Sequence, residues 1–180
     1  MKIVENFLSE EELYYCVYSL MEQDWHFIDD FPFDEQPPRS ELYKKKSLGV
    51  SKDNPQQFQP IDYWFIDKVS SLLNMQLDPR RMRILINCFR SGDSPAFHQD
   101  SDFKGRPTFI LFVNPEWKWW WGSPLTIKNG WKEKKIRPKP GRLVIFDGNK
   151  WHKGSPPSIF YRGPGRFSFV IQYQDKLPIV

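Results

Sequence analysis

The sequence predicts a mainly β domain in which two helices brace a sheet barrel. Three observations carry that prediction. Aromatic residues and proline are abundant, with 15 Phe, 8 Trp, 7 Tyr and 16 Pro in 180 residues, a mixture that favours strands and turns over a helical bundle. From residue 81 on, the apolar pattern changes from helical spacing to short alternating or apolar runs. Turn-forming clusters punctuate those runs at regular intervals, the arrangement expected of an antiparallel sandwich or barrel.

The elements follow in order. Ser9 suits a helix N-cap, with Glu12 at the capping-box position and Leu8 and Leu13 placed for a hydrophobic staple. Leu13, Val17 and Leu20 then keep helical spacing to about residue 24. Trp25 to Phe33 reads as an edge strand or extended loop. Residues 34–60 are polar and broken by Pro37-Pro38 and Asp53-Asn54-Pro55, so a long irregular, lid-like loop is expected. Pro60 opens a second helix running to about Asn74, with Ile61, Phe65, Val69 and Leu72 on its apolar stripe. Strands are expected near Arg83–Phe89, Phe97–Asp100, Thr108–Asn114, Pro124–Lys128, Arg142–Asp147 and Arg166–Tyr173.

Composition narrows the setting. No apolar run reaches the length of a membrane span, and the start, Met1 to Glu5, has no apolar signal core. A cytoplasmic protein without a membrane partner is the expectation. Cys16 and Cys88 stand apart among apolar neighbours and read as buried, reduced thiols. The net charge of +4 permits an anionic partner without requiring one. Lys44 to Lys46 and Lys132 to Lys139 read as solvated loops.

The chemistry centres on His98-Gln99-Asp100. On an extended strand, residues two apart face the same way, so one imidazole and one carboxylate converge. His152 follows the apolar strand Leu143-Val144-Ile145-Phe146 and a tight turn. Two histidines and a carboxylate form the facial triad of mononuclear non-haem Fe(II) sites. Arg166 opens an otherwise largely apolar strand, where a guanidinium needs an anionic partner, and a dicarboxylate ligand meets that need by a two-pronged contact. Trp117, Trp119 and Trp121 fall on one face if their segment is extended, as a hydrophobic cover or as an aromatic wall for a proline ring or a base. His26 has no partner at useful spacing and reads as structural.

The order His98-x-Asp100, His152, Arg166 resembles the Fe(II)- and 2-oxoglutarate-dependent oxygenase superfamily, and most closely the prolyl 4-hydroxylases. Thr108 to Asn114 resembles their strand ending in Leu-Asn. Gly122-Ser123-Pro124-Leu125 stands where they have Gly-Gly-x-Leu. Pro140-Gly141-Arg142-Leu143 resembles the strand before their distal histidine, and Arg166-Phe167-Ser168 resembles their Arg-Tyr-Ser.

The resemblance implies a double-stranded β-helix (jelly-roll, cupin-like) fold in a single oxygenase domain over 1–180, with residues 1–80 giving helical support and residues 81–176 the β core. It implies iron on His98, Asp100 and His152, and 2-oxoglutarate on Arg166 with Thr108 beside it. It further implies ascorbate as a reductant and hydroxylation of a peptide or protein side chain with succinate and carbon dioxide as co-products. Phe89 and Phe112 depart from the pattern, since they lack the hydroxyl of tyrosines common in those regions. A weaker resemblance, Leu85-Ile86-Asn87 with His98-Gln99-Asp100, is to the AlkB-type nucleic-acid demethylases, but the strand after Arg166 lacks their second arginine. A metal-free ligand-binding barrel and a zinc hydrolase are the other readings; the first gives no reason to keep all four residues, and the second leaves Arg166 without a role.

Overall fold

The computed structural model describes residues 1–21, 23, 26–28, 47–93, 95–178. Among these residues ten strands and two α-helices are formed: β1 Lys2–Val4, α1 Glu10–Met21, β2 His26–Ile28, β3 Ser47–Lys52, α2 Pro60–Leu73, β4 Met82–Phe89, β5 Pro107–Phe112, β6 Leu125–Asn129, β7 Lys132–Ile136, β8 Leu143–Asp147, β9 His152–Gly154 and β10 Arg166–Tyr173. The strands make a seven-stranded sheet in the order β1-β8-β5-β10-β4-β3-β2 and a three-stranded sheet in the order β7-β6-β9. Every pairing is antiparallel.

The helices begin where local chemistry starts them. The Ser9 backbone N–H donates to Glu12 Oε2 at 2.8 Å and the Glu12 N–H to Ser9 Oγ at 3.2 Å, closing the expected capping box. Asp62 accepts from the Gln59 N–H at 2.8 Å at the head of α2, and Asn74 ends that helix in the left-handed region at φ 52°. The buried pair Lys52–Asp62, 2.5 Å apart, ties α2 to β3, and Lys52 also donates to Gln23 beyond α1 at 3.0 Å. Cys16 and Cys88 are buried and form no disulfide. Among the described residues no helix is long and apolar enough to cross a membrane.

The centre of the large sheet is buried on both faces, which is why β5 and β8 are apolar at nearly every position. Phe109, Leu111, Ile145, Phe169 and Ile171 point to the helical side, where Phe65 of α2 meets Phe169 edge-on at 5.9 Å. Their strand neighbours Ile110, Phe112, Val144, Phe146 and Val170 join Leu125, Ile127 and Ile136 of the small sheet in a second core. This alternation decides which residues of β4, β5 and β10 reach the space beside the small sheet.

Several expectations are corrected. Phe97–Asp100 is not a strand; a single bridge joins His98 to His152. The irregular stretch expected over 34–60 holds β3, which pairs along β4. Residues 34–46 of that expected loop lie outside the described residues. Three strands from residues 1–80, β1, β2 and β3, belong to the large sheet. Part of the Lys132–Lys139 cluster forms β7, a charged edge strand, where charge discourages pairing with another chain. Trp119–Trp121 is a 3-10 turn rather than an extended run, closed by the Trp121 N–H donating to the Lys118 carbonyl at 3.0 Å.

Candidate metal and anion centre

The turn Asp147-Gly148-Asn149 organises one end of the site. Asp147 Oδ1 accepts from the Gly105 N–H at 3.0 Å and from the Asn149 N–H at 3.3 Å. The Gly148 carbonyl accepts from the Asp100 N–H at 2.8 Å. His98 and His152 then exchange backbone hydrogen bonds, 2.9 Å in each direction. This ladder fragment brings the two imidazoles together, with ring centroids 4.4 Å apart.

Asp100 lies between them. Its Oδ2 is 3.3 Å from His152 Nε2 and its Oδ1 is 3.6 Å from His98 Nε2. One ligand atom from each of the three residues lies within 4.8 Å of the others. Both histidines direct Nδ1 at backbone carbonyls, Ala96 at 3.2 Å and Lys150 at 2.9 Å. With Nδ1 carrying a proton, Nε2 of each ring points toward the centre; His152 Nε2 donates to Asp100 when protonated and offers a lone pair to a metal when not. Asp100 is supported in turn: Thr108 Oγ1 donates to Oδ2 at 2.6 Å and Gln172 Nε2 to Oδ1 at 2.7 Å. Burial pushes the Asp100 carboxyl upward, but the His152 hydrogen bond, both imidazoles and the Thr108 hydroxyl outweigh it and hold it below the usual carboxylate range. The donor set, two neutral nitrogens and one ionised oxygen, fits a first-row divalent cation with open positions.

Arg166 forms the opposite end. It is 2% exposed. Its Nε donates to Ser123 Oγ at 3.1 Å and its Nη1 to Ser168 Oγ at 2.9 Å. The Phe89 and Phe112 ring centroids lie 4.5 and 5.3 Å from its Cζ. The two phenylalanines that lack the tyrosine hydroxyl therefore contribute ring faces to the guanidinium. Among the described residues no carboxylate pairs with it, and burial pushes its pKa down to about 9. A buried cation left without an anion is what a carboxylate ligand would complete.

The two ends share one cavity of about 90 Å³, walled by Leu85, Ile110, Leu125 and Val170. Gly154 links them: it follows His152 by two residues on β9 and faces the same side. A Cβ built on Gly154 would come 2.7 Å from Arg166 Nη2. The guanidinium therefore abuts β9 one pleat repeat from the His152 backbone, about 7 Å along the strand.

The structure brings His98, Asp100 and His152 into one cluster, sets Arg166 across the cavity, and commits the Thr108 hydroxyl to Asp100. Asn87 also lines the cavity. Sequence reasoning missed Gln172 and the roles of Ser123 and Ser168. Ser168 and Gln172 share the parity of Arg166 on β10, so polar residues on the inward face of an apolar strand were the available signal. Trp117 and Trp121 pack on Tyr161 at 4.9 and 5.0 Å, while Trp119 and Trp120 stay exposed.

No protein-family model and no curated protein matches the chain in sequence. The fold is similar to a prolyl 4-hydroxylase from Pseudomonas putida, at 16% identity and TM-score 0.66, covering 97% of this chain and 92% of that one. It is similar to a Trichoplax adhaerens prolyl hydroxylase in complex with a hypoxia inducible factor oxygen degradation domain peptide fragment, at 18% identity and TM-score 0.70, covering 97% and 83%. It is also similar to a 2OG-Fe(II) oxygenase family oxidoreductase from Burkholderia pseudomallei, at 9% identity and TM-score 0.63, covering 96% and 84%. At these identities the likeness is one of fold.

Proposed function

We propose that this chain is an Fe(II)- and 2-oxoglutarate-dependent dioxygenase that hydroxylates a peptide or protein side chain, in the manner of a prolyl 4-hydroxylase. Its two facing sheets are then the double-stranded β-helix of that superfamily, in one domain over 1–180, and a cytoplasmic setting suits its reduced thiols. The observation that carries the proposal is the pairing, across one cavity, of a His-Asp-His cluster with a buried arginine that has no anionic partner among the described residues. A zinc hydrolase needs the first but gives no role to the second.

His98, Asp100 and His152 would hold the iron, and Arg166 would hold the distal carboxylate of 2-oxoglutarate. When bound, the two supply oxidative chemistry in which dioxygen and 2-oxoglutarate become succinate and carbon dioxide as one oxygen atom enters a substrate C–H bond. Thr108 and Gln172 keep Asp100 ionised and aimed at the centre. Ser168 and the rings of Phe89 and Phe112 hold the guanidinium. Leu85, Ile110, Leu125 and Val170 give the space between an apolar wall. The His98 side chain is 49% exposed, so the centre opens to solvent on that side, where a substrate side chain would enter.

The substrate class is tested with the Fe(II)-loaded protein, 2-oxoglutarate and ascorbate, offered proline-containing peptides and, separately, methylated oligonucleotides. A peptide mass increase of one oxygen atom supports the proposal. Formaldehyde release from the oligonucleotides, with no peptide product, replaces it with nucleic-acid dealkylation.

A further inference from the structure

Ser123 has a conformation that its own side chain disfavours. It is 1% exposed, and its φ of 62° lies in the left-handed region that glycine adopts freely and serine only with strain. Its hydroxyl both donates and accepts a hydrogen bond. It donates to the Ser155 carbonyl at 2.5 Å, which fixes the proton, and the remaining lone pairs accept from Arg166 Nε at 3.1 Å. Ser123 thereby joins three segments: the end of the tryptophan turn, the loop after β9 and the head of β10.

The guanidinium carries five N–H donors in one rigid plane. The rings of Phe89 and Phe112 lie 4.5 and 5.3 Å from its Cζ, where they attract the charge but offer no hydrogen-bond acceptor. Among the described residues only the hydroxyls of Ser123 and Ser168 accept hydrogen bonds from it. One acceptor leaves a plane free to swing about that bond, whereas two acceptors on different nitrogens fix it. With Nε and one Nη1 proton taken, the second Nη1 proton and both Nη2 protons remain, and Nη2 lies against Gly154 at the cavity wall.

We propose that Ser123 is a positioning residue for the anion-binding end of the cavity, locking the Arg166 plane so that its free edge presents parallel N–H groups to the distal carboxylate of 2-oxoglutarate. The inference rests on the co-substrate reading given above. It accounts for the strained serine, because glycine at this position would relax the backbone and lose the lock.

The test is calorimetric titration of the anaerobic Fe(II)-loaded protein with two ketoacids, in the wild-type chain, Ser123→Gly and Ser123→Ala. Glycine permits the φ without strain and alanine keeps the Cβ, so the two variants separate loss of the hydroxyl from a change in backbone. 2-Oxoglutarate carries a distal carboxylate and 2-oxobutyrate does not. Both variants are expected to weaken 2-oxoglutarate roughly tenfold, the effect of one lost charge-assisted hydrogen bond. Binding of 2-oxobutyrate is expected to stay at the wild-type level. Wild-type affinity for 2-oxoglutarate in either folded variant overturns the inference, as does an equal loss for both ketoacids, which would indicate a damaged cavity. If the wild-type chain itself binds no 2-oxoglutarate, the proposed function falls and this inference with it.

Discussion

Gly154→Ala puts one methyl group where the metal end and the anion end of the cavity meet. The added Cβ would lie 2.6 Å from Phe89 Cε2, 2.7 Å from Arg166 Nη2 and 3.0 Å from Phe89 Cζ. Non-bonded carbon contacts settle near 3.5–4.0 Å, so each neighbour would have to retreat by about 1 Å. Neither is free to do so. Phe89 and Arg166 face each other in the β4–β10 register, and two serines hold the guanidinium. Overpacking of this kind costs about 1–3 kcal/mol. In a chain of this length each kcal/mol lowers Tm by about 2–4 °C. The displaced guanidinium loses the geometry of a bond worth about 1.5–3 kcal/mol, so 2-oxoglutarate should bind about 10- to 100-fold more weakly. Thermal unfolding and calorimetric titration measure the two effects. Gly130→Ala is the control, since φ there is 61° but no atom lies within 4 Å of the added Cβ, and it should leave ligand affinity unchanged. A Gly154→Ala protein with wild-type Tm and wild-type 2-oxoglutarate affinity would refute the placement of Arg166 against β9.

Three further outcomes are expected. Thr108→Val and Gln172→Leu each delete one hydrogen bond to Asp100 and should weaken Fe(II) binding about 10- to 100-fold; a chelator competition showing unchanged affinity contradicts their role. Asp62→Ala leaves the buried Lys52 ammonium without its carboxylate and should destabilise the fold by about 3–5 kcal/mol, while Lys52→Met with Asp62→Leu should recover much of the loss. Urea unfolding decides this, and a single variant as stable as wild type rules the argument out. Burial pushes the Cys16 thiol up to about 12 and the Cys88 thiol up to about 11. Because the thiolate is the reactive form, both should resist a disulfide reagent at neutral pH until the chain is denatured, and prompt labelling of the native protein would contradict their burial.

What the sequence could show depended on whether a signal was local. The capping box at Ser9 and Glu12, the helix opened by Pro60 and the strand Arg166–Tyr173 are written in adjacent residues, and they formed as expected. The triad and the arginine were legible because histidines are scarce and a guanidinium on an apolar strand stands out. Phe97–Asp100 misled because convergence of His98 and Asp100 needs only one bridge and a tied turn, not a full strand. β3, Ser47–Lys52, was hidden by its polar surroundings, since its place is set by pairing with β4. The tryptophan run turned instead of extending, and no spacing rule reveals that Ser123, beside it, would reach Arg166 forty-three residues on. Such contacts are made by the packing of distant segments.

The central claim is that iron at His98, Asp100 and His152 works together with a dicarboxylate held by Arg166. Succinate formation from 2-oxoglutarate by the Fe(II)-loaded protein under air measures it most directly, run beside His98→Ala and Arg166→Met. The wild-type chain should form succinate, His98→Ala should form none, and Arg166→Met should need far more 2-oxoglutarate to approach the same rate. Absence of succinate from the wild-type protein with or without candidate substrates, or equal rates in all three proteins, would contradict it.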